Sequence, residues 1–185
     1  YIDTERFRPL DIQKEQNRIV FVGKLEKQKN LFNLIEAVST LPVELHIIGK
    51  GSQEEELRQF SKEKGAKVKF RGIIPQKELP EELNTAKIFI MPSHYEGSPK
   101  ALLEAMACGL PCIATKVEGM QHLISHKENG YLCETNSDSI RDAISKVLED
   151  TELQKTMGEK ARINVEQEFS FEKILEKELA VYKSL

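Results

Sequence analysis

Six short apolar runs, each four to six residues long and separated by turn residues or helical periodicity, limit this chain to an α/β fold built on a parallel sheet. They fall at residues 18–23, 45–49, 68–72, 87–91, 111–115 and 130–133. Each is too short for a stable helix, and most are rich in Ile, Val or Phe, as expected of strands covered on both faces. Strands that alternate with helices argue for right-handed crossovers and a parallel sheet, for which the expected doubly wound order is 3-2-1-4-5-6. The expected fold is α/β: a Rossmann-like, doubly wound, parallel six-stranded sheet with C-terminal helices.

The connecting segments carry helix signals. Asn30 is placed to cap a helix whose Leu31, Leu34, Ile35 and Val38 share one face, and Pro42 marks its end. Ser52 and Glu55 have the spacing of a capping box, which sets a helix at about residues 53–64 with Gly65 as its stop. A short helix with Pro80 in its first turn is expected at 79–83. Ser98 as N-cap and Pro99 as first helical residue open the next helix, which Gly109 closes. Further helices are expected at 138–148, after a second box formed by Thr151 and Gln154, and after Ser170. In the last, Phe171, Ile174, Leu175, Leu179 and Tyr182 form one apolar stripe.

At 185 residues, 39% hydrophobic and 31% charged, the chain can bury one good core. Its formal net charge of -3 supplies no basic field for non-specific nucleic-acid binding, so nucleic acid is not an expected partner. With no recognisable signal peptide and no apolar span of about 18 residues, the expected setting is cytoplasmic, or at most peripheral to the inner face of a membrane. Cys108, Cys112 and Cys133 lie among apolar neighbours and read as buried free thiols rather than a disulfide or a zinc site. His122 and His126 stand at helical spacing without an acidic partner and read as surface residues. The chain begins at Tyr1 rather than Met, and residues 1–17 read as a lead-in from a preceding segment.

In the expected strand order the first and fourth strands are neighbours, and their C-terminal loops flank the point where ligands bind such sheets. That sets Lys24, Lys27 and Lys29 opposite residues 96–100, at the start of a helix. Ammonium groups facing the free N–H groups of a helix N-terminus suit a diphosphate; the competing reading is a solvated lysine-rich turn. Glu96 falls in the loop and Glu104 on the helix behind it. A rise of about 1.5 Å per residue separates them too far to share a proton, so they read as separate acceptors for sugar or ribose hydroxyls. The alternative for Glu104 is an exposed helix residue. Gly49 and Gly51 either admit a ligand close to the backbone or simply turn the chain. His94, two residues before Glu96, is a candidate for lining the site.

Taken together, these residues resemble the C-terminal, donor-binding half of GT-B retaining glycosyltransferases of the large family 4, the group 1 glycosyl transferases. DTERFRP at 3–9 is similar to the segment that enters that domain, and VGKLEKQKN at 22–30 to its first-strand phosphate loop. EGSPKALLEAMACGLPCIAT at 96–115 is similar to the E-x7-E region and FSFEKILEKELAVY at 169–182 to the terminal helix pair. The resemblance implies one half of a GT-B fold, divided into a lead-in at 1–17, a nucleotide-sugar-binding domain at 18–169 and a helix at 170–185 that reaches back to an N-terminal domain. It implies catalytic roles for Lys24, Lys29 and Glu96: the lysines on the donor diphosphate, with Lys24 replacing the usual arginine, and Glu96 on the donor sugar. Glu104 would hold the ribose. Gly23, Gly49, Gly51, Gly97, Ser98, Pro99, Lys100 and Ala101 would lie along the donor, with Arg71 where the nucleobase is read.

The reaction so implied is retaining transfer of a sugar from a nucleotide-diphosphate sugar, UDP- or GDP-linked, to an acceptor hydroxyl, with no metal or other cofactor required. The acceptor site would belong to the N-terminal half, so this chain alone is expected to bind donor and transfer little. Two alternatives stand beside it. One is a nucleotide-sugar epimerase of GT-B architecture; the other is a non-catalytic α/β binding module. Against the second, the loop after the first strand lacks G-x-G-x-x-G, and the strand ends lack an acidic cluster for phosphoryl transfer.

Overall fold

The structure is a computed structural model in which residues 1–15 and 17–183 are described. The strands β1 (Arg18–Val22), β2 (Glu44–Ile48), β3 (Val68–Gly72), β4 (Ile88–Met91), β5 (Cys112–Thr115) and β6 (Tyr131–Cys133) form one parallel sheet. Their order is the expected 3-2-1-4-5-6, and each lies within a residue of its expected bounds. The helices are α1 (Leu31–Val38), α2 (Glu54–Glu63), α3 (Leu79–Asn84), α4 (Lys100–Ala107), α5 (Glu118–Gln121), α6 (Ser137–Glu149), α7 (Thr151–Glu168) and α8 (Phe171–Lys183).

Alternation along the strands sends side chains into two cores, one on each face of the sheet. Ile19 and Phe21 of β1, with Leu45, Ile47, Ile88 and Ile90, pack under Leu31, Leu34 and Ile35 of α1 and Ile140 and Ile144 of α6. Val20, Phe89, Met91 and Ala114 pack on the opposite face under Leu83, Leu102, Met106, Ala161 and Val165 of α3, α4 and α7. Burying each large apolar side chain contributes roughly 1.5–3 kcal/mol. A one-residue slip of a central strand would exchange its two faces at once, which fixes the register.

Several helix ends differ from the sequence reading, because the expected caps bond elsewhere. Asn30 adopts a left-handed conformation (φ 56°) and makes no capping bond. Its Nδ2 instead donates to the carbonyls of Pro92 (2.9 Å) and Thr135 (2.7 Å). Ser52 forms no box with Glu55: its N–H and hydroxyl both donate to Glu26. Pro99 is the N-cap of α4 rather than its first residue, and Ser98 makes no capping bond. Asp150, not Thr151, caps α7 by accepting from Leu153 N at 2.8 Å, while Gln154 donates to Val147 O and Leu148 O. Gly65 and Gly109, with φ of 66° and 69°, end their helices as expected. The short helix α5 and a 3-10 turn at Lys27–Lys29 were not anticipated. His126 lies outside any helix, its Nδ1 accepting from Leu132 N at 3.0 Å.

The N-terminal segment is packed against the domain, with Ile2 and Phe7 buried in the core beneath α7. The three cysteines are buried and unbridged, and burial pushes the thiols of Cys108 and Cys133 up to about 12. Among the described residues, no helix is long and apolar enough to cross a membrane.

Candidate functional site

Two clefts of about 310 Å³ each open at the C-terminal edge of the sheet and share Val22, Gly23 and Lys24 as a common wall. The first lies between the loop after β1 and the start of α4. Lys24, Lys29, Glu96, Ser98, Pro99, Lys100 and Ala101 line it. The second lies between the end of β2 and the segment after β3, with aliphatic walls from Ile48, Ile73, Ile74 and Leu79 and polar groups from Lys50 and Gln76. The adjacency of β1 and β4 thus brings together loops some seventy residues apart, as the strand order required.

In the first cleft Lys29 Nζ donates to Glu96 Oε1, and the Ser93 hydroxyl donates to the same oxygen at 2.7 Å. The side chains of Lys29 and Glu96 are only 15% and 8% exposed, so this pair is largely withdrawn from water. Below them, the Thr115 hydroxyl donates to Ser93 O, and Gln28 ties the two loops by accepting from His94 N at 2.8 Å and donating to Tyr95 O at 2.8 Å. Lys24 and Lys100 are exposed. Among the described residues, no protein acceptor takes the backbone N–H groups of Gly97, Ser98, Lys100 or Ala101. Two lysines therefore face the donor-rich end of a helix across one cleft, a setting that favours an anion.

Glu104 is 5% exposed, which removes the reading of it as an exposed helix residue. Its Oε1 accepts from Gln76 Nε2 at 2.9 Å. Burial pushes its carboxyl above the ordinary range, and the opposing influences of Gln76, Lys100 and Arg6 do not cancel that effect. Gln76 lines the second cleft, so Glu104 sits directly behind that wall.

The remaining expected residues divide. Gly49 lines the second cleft, but a Cβ on it would lie 1.9 Å from Gly23 O, and one on Gly51 would lie 2.3 Å from Leu25 O. Both glycines are therefore demanded by the chain's own backbone, which runs closely paired here through Gly23 N to Ile48 O and Leu25 N to Lys50 O. Arg71 lies within β3, and its guanidinium is held by Glu82 at 2.7 Å; it lines neither cleft. His94 is exposed and meets the site only through its backbone N–H. Sequence reasoning missed Ser93, Gln28, Gln76 and the paired Ile73 and Ile74, none of which carries a motif by itself. At the opposite edge of the sheet, ligand atoms of Glu15, Glu44 and His46 lie within 4.8 Å of one another, but Arg18 and Lys69 already pair with the two carboxylates.

The family model for glycosyl transferases group 1 matches residues 3–164. The N-acetyl-alpha-D-glucosaminyl L-malate synthase of Bacillus anthracis is 29% identical over 184 residues, covering 97% of this chain and 48% of that protein. The chain thus spans about half the length of the curated relatives it matches. Anabaena Alr3699/HepE, solved in complex with UDP-glucose, superposes with a TM-score of 0.84 at 26% identity over 91% of this chain and 49% of its own. The C-terminal domain of the glycosyl transferase group 1 protein LpcC from Francisella tularensis superposes with a TM-score of 0.83 at 26% identity, over 92% of this chain and 100% of that one. The sheet order and the match to a separate C-terminal domain make this fold the Rossmann-like C-terminal half of the GT-B architecture. By the family model that spans most of its length, the chain belongs to the glycosyl transferases group 1 family.

Proposed function

We propose that this chain is the donor-binding half of a retaining glycosyltransferase that moves a sugar from a nucleotide-diphosphate sugar to an acceptor hydroxyl. The observation that carries the reading is the first cleft, where Lys24 and Lys29 face the free N–H groups at the start of α4 with Glu96 between them. A diphosphate would be gripped from both sides, and charge developing on it as the glycosidic bond breaks would meet groups already oriented. Glu96, held by Lys29 and Ser93, offers its remaining acceptor capacity to the sugar hydroxyls. Donor binding exchanges part of the Lys29–Glu96 pairing for contact with phosphate oxygen. The aliphatic second cleft takes the nucleoside, with Glu104 beside Gln76 accepting from a ribose hydroxyl. The UDP-glucose bound by the Anabaena neighbour supports a donor of this class, UDP- or GDP-linked, and the scheme calls on no metal or other cofactor.

The same reading divides the chain at 1–17, 18–169 and 170–185, with the last part meeting an N-terminal acceptor domain. It assigns the longer protein to glycan biosynthesis in the cytoplasm, with peripheral attachment to a membrane. The test is to assay this chain beside a longer polypeptide that carries the N-terminal half. Donor binding is expected of both and retaining transfer of the longer one only. Robust transfer by this chain alone would refute the two-domain scheme, and release of an epimerised sugar without acceptor would replace transfer by epimerisation.

A further inference from the structure

We propose that Gly119, in the short helix α5 after β5, is a positioning residue for Glu96 that fixes the height of the loop presenting this carboxylate; the inference rests on the donor-binding reading above. A Cβ on Gly119 would lie 2.1 Å from the Glu96 carbonyl oxygen, 2.7 Å from its carbonyl carbon and 2.8 Å from Gly97 O. All three are backbone atoms, so no change of rotamer relieves the overlap. Gly119 is not among the residues with positive φ, so conformational freedom does not explain the glycine. What explains it is contact: the turn after β5 lies directly against the loop after β4, its neighbour in the sheet.

Neither side has room to retreat freely. On the α5 side, the next residue, Met120, is fully buried in the core shared with α4, and Val117 N bonds to Thr115 O at 2.8 Å. On the loop side, Pro92 O is tied by Asn30, Ser93 O by Thr115, and the Glu96 carboxylate by Lys29 and Ser93. The least restrained point is the Glu96–Gly97 peptide itself, since Gly97 is exposed and a Cβ there would meet nothing within 4 Å. Real Cβ atoms essentially never approach a neighbour closer than 3.0 Å. A methyl group at position 119 would therefore drive the Glu96 backbone away by roughly 1 Å, enough to break a hydrogen bond from the donor to the charged carboxylate, a loss of about tenfold to a hundredfold in affinity.

A matched insult exists far from the cleft: a Cβ on Gly158 of α7 would lie 2.3 Å from Gly109 O. The experiment measures UDP-glucose and GDP-mannose affinity and the melting temperature for the unmutated chain, Gly119→Ala, Glu96→Ala, the double variant and Gly158→Ala. Gly119→Ala is expected to weaken binding of the preferred donor by about tenfold to a hundredfold. In the Glu96→Ala background it should cost nothing further, as coupled residues require. Gly158→Ala should lower the melting temperature and leave affinity unchanged. Additive losses, an equal loss of affinity in Gly158→Ala, or unchanged affinity in Gly119→Ala would overturn the proposal. Unchanged affinity in Glu96→Ala, or no binding by the unmutated chain, would instead refute the donor-binding reading. Amide exchange in the unmutated chain covers the case in which Gly119→Ala does not fold. The bound donor should slow exchange at residues 118–121 together with Gly97 and Ser98, and protection confined to the latter two would overturn the proposal.

Discussion

Glu104 holds its carboxyl in a buried position that favours the neutral acid, and the hydrogen bond donated by Gln76 opposes that effect without cancelling it. Its folded-state value is raised above the ordinary 4.5, so its favourable contribution to stability is complete below that pH and is lost as pH rises through the folded value. Glu104→Gln is accordingly expected to melt above the unmutated chain near neutral pH, with the gain disappearing below about pH 4.5. Thermal melts across that range check it. In the proposed site Glu104→Ala weakens nucleotide binding by about 1–3 kcal/mol, measured by calorimetry. The E-x7-E spacing made both glutamates visible in the sequence, but the burial of Glu104 was not, because its partner Gln76 stands 28 residues away. Asn30 was visible only as a helix cap. Its actual bonds, to Pro92 and Thr135, depend on the strand order having already brought those segments together. Asn30→Ala should cost about 1–3 kcal/mol in urea denaturation by leaving the buried Pro92 carbonyl without its side-chain donor and Thr135 O with Asn33 alone. Asn30→Gly should cost less, since glycine accepts the observed φ of 56°.

At the scale of elements, the strands were legible because the sheet's requirement is repetitive: short apolar runs, at regular spacing, buried on both faces. Helix ends were less so, because a polar side chain can leave its local cap for a better tertiary partner, as Ser52 does for Glu26. The joint between α7 and the start of the chain illustrates the same limit. Arg162 Nη1 donates to the carbonyls of Thr4, Phe7 and Ala107 at 3.0, 2.6 and 2.8 Å, tying the N-terminal segment and the end of α4 to one helix. Nothing in its sequence neighbourhood marks Arg162 for that task. Arg162→Met is expected to lower unfolding stability by roughly 1.5–3 kcal/mol, the cost of lost charge-assisted bonds, while donor affinity stays unchanged. A urea titration paired with a binding measurement separates the two.

Over the whole molecule, two features point in different directions. The clefts face the C-terminal edge of the sheet, whereas α8 leaves Phe171, Leu175, Leu179 and Tyr182 exposed by 42% to 74%. Leu175→Glu with Leu179→Glu should change the stability of this chain by less than about 1 kcal/mol, as surface substitutions do, and leave nucleotide affinity intact. In the proposed longer protein the same pair should reduce transfer. The central claim is that the paired clefts hold a nucleotide diphosphate, and titration calorimetry of UDP, GDP and ADP into this chain tests it most directly, with Lys24→Met in parallel because Lys24 is exposed on the wall both clefts share. The prediction is saturable binding of at least one of the three, with a preference among bases and a loss of about tenfold or more in Lys24→Met, the worth of one charge-assisted bond to phosphate. No binding of any of the three, or undiminished affinity in the variant, would contradict it.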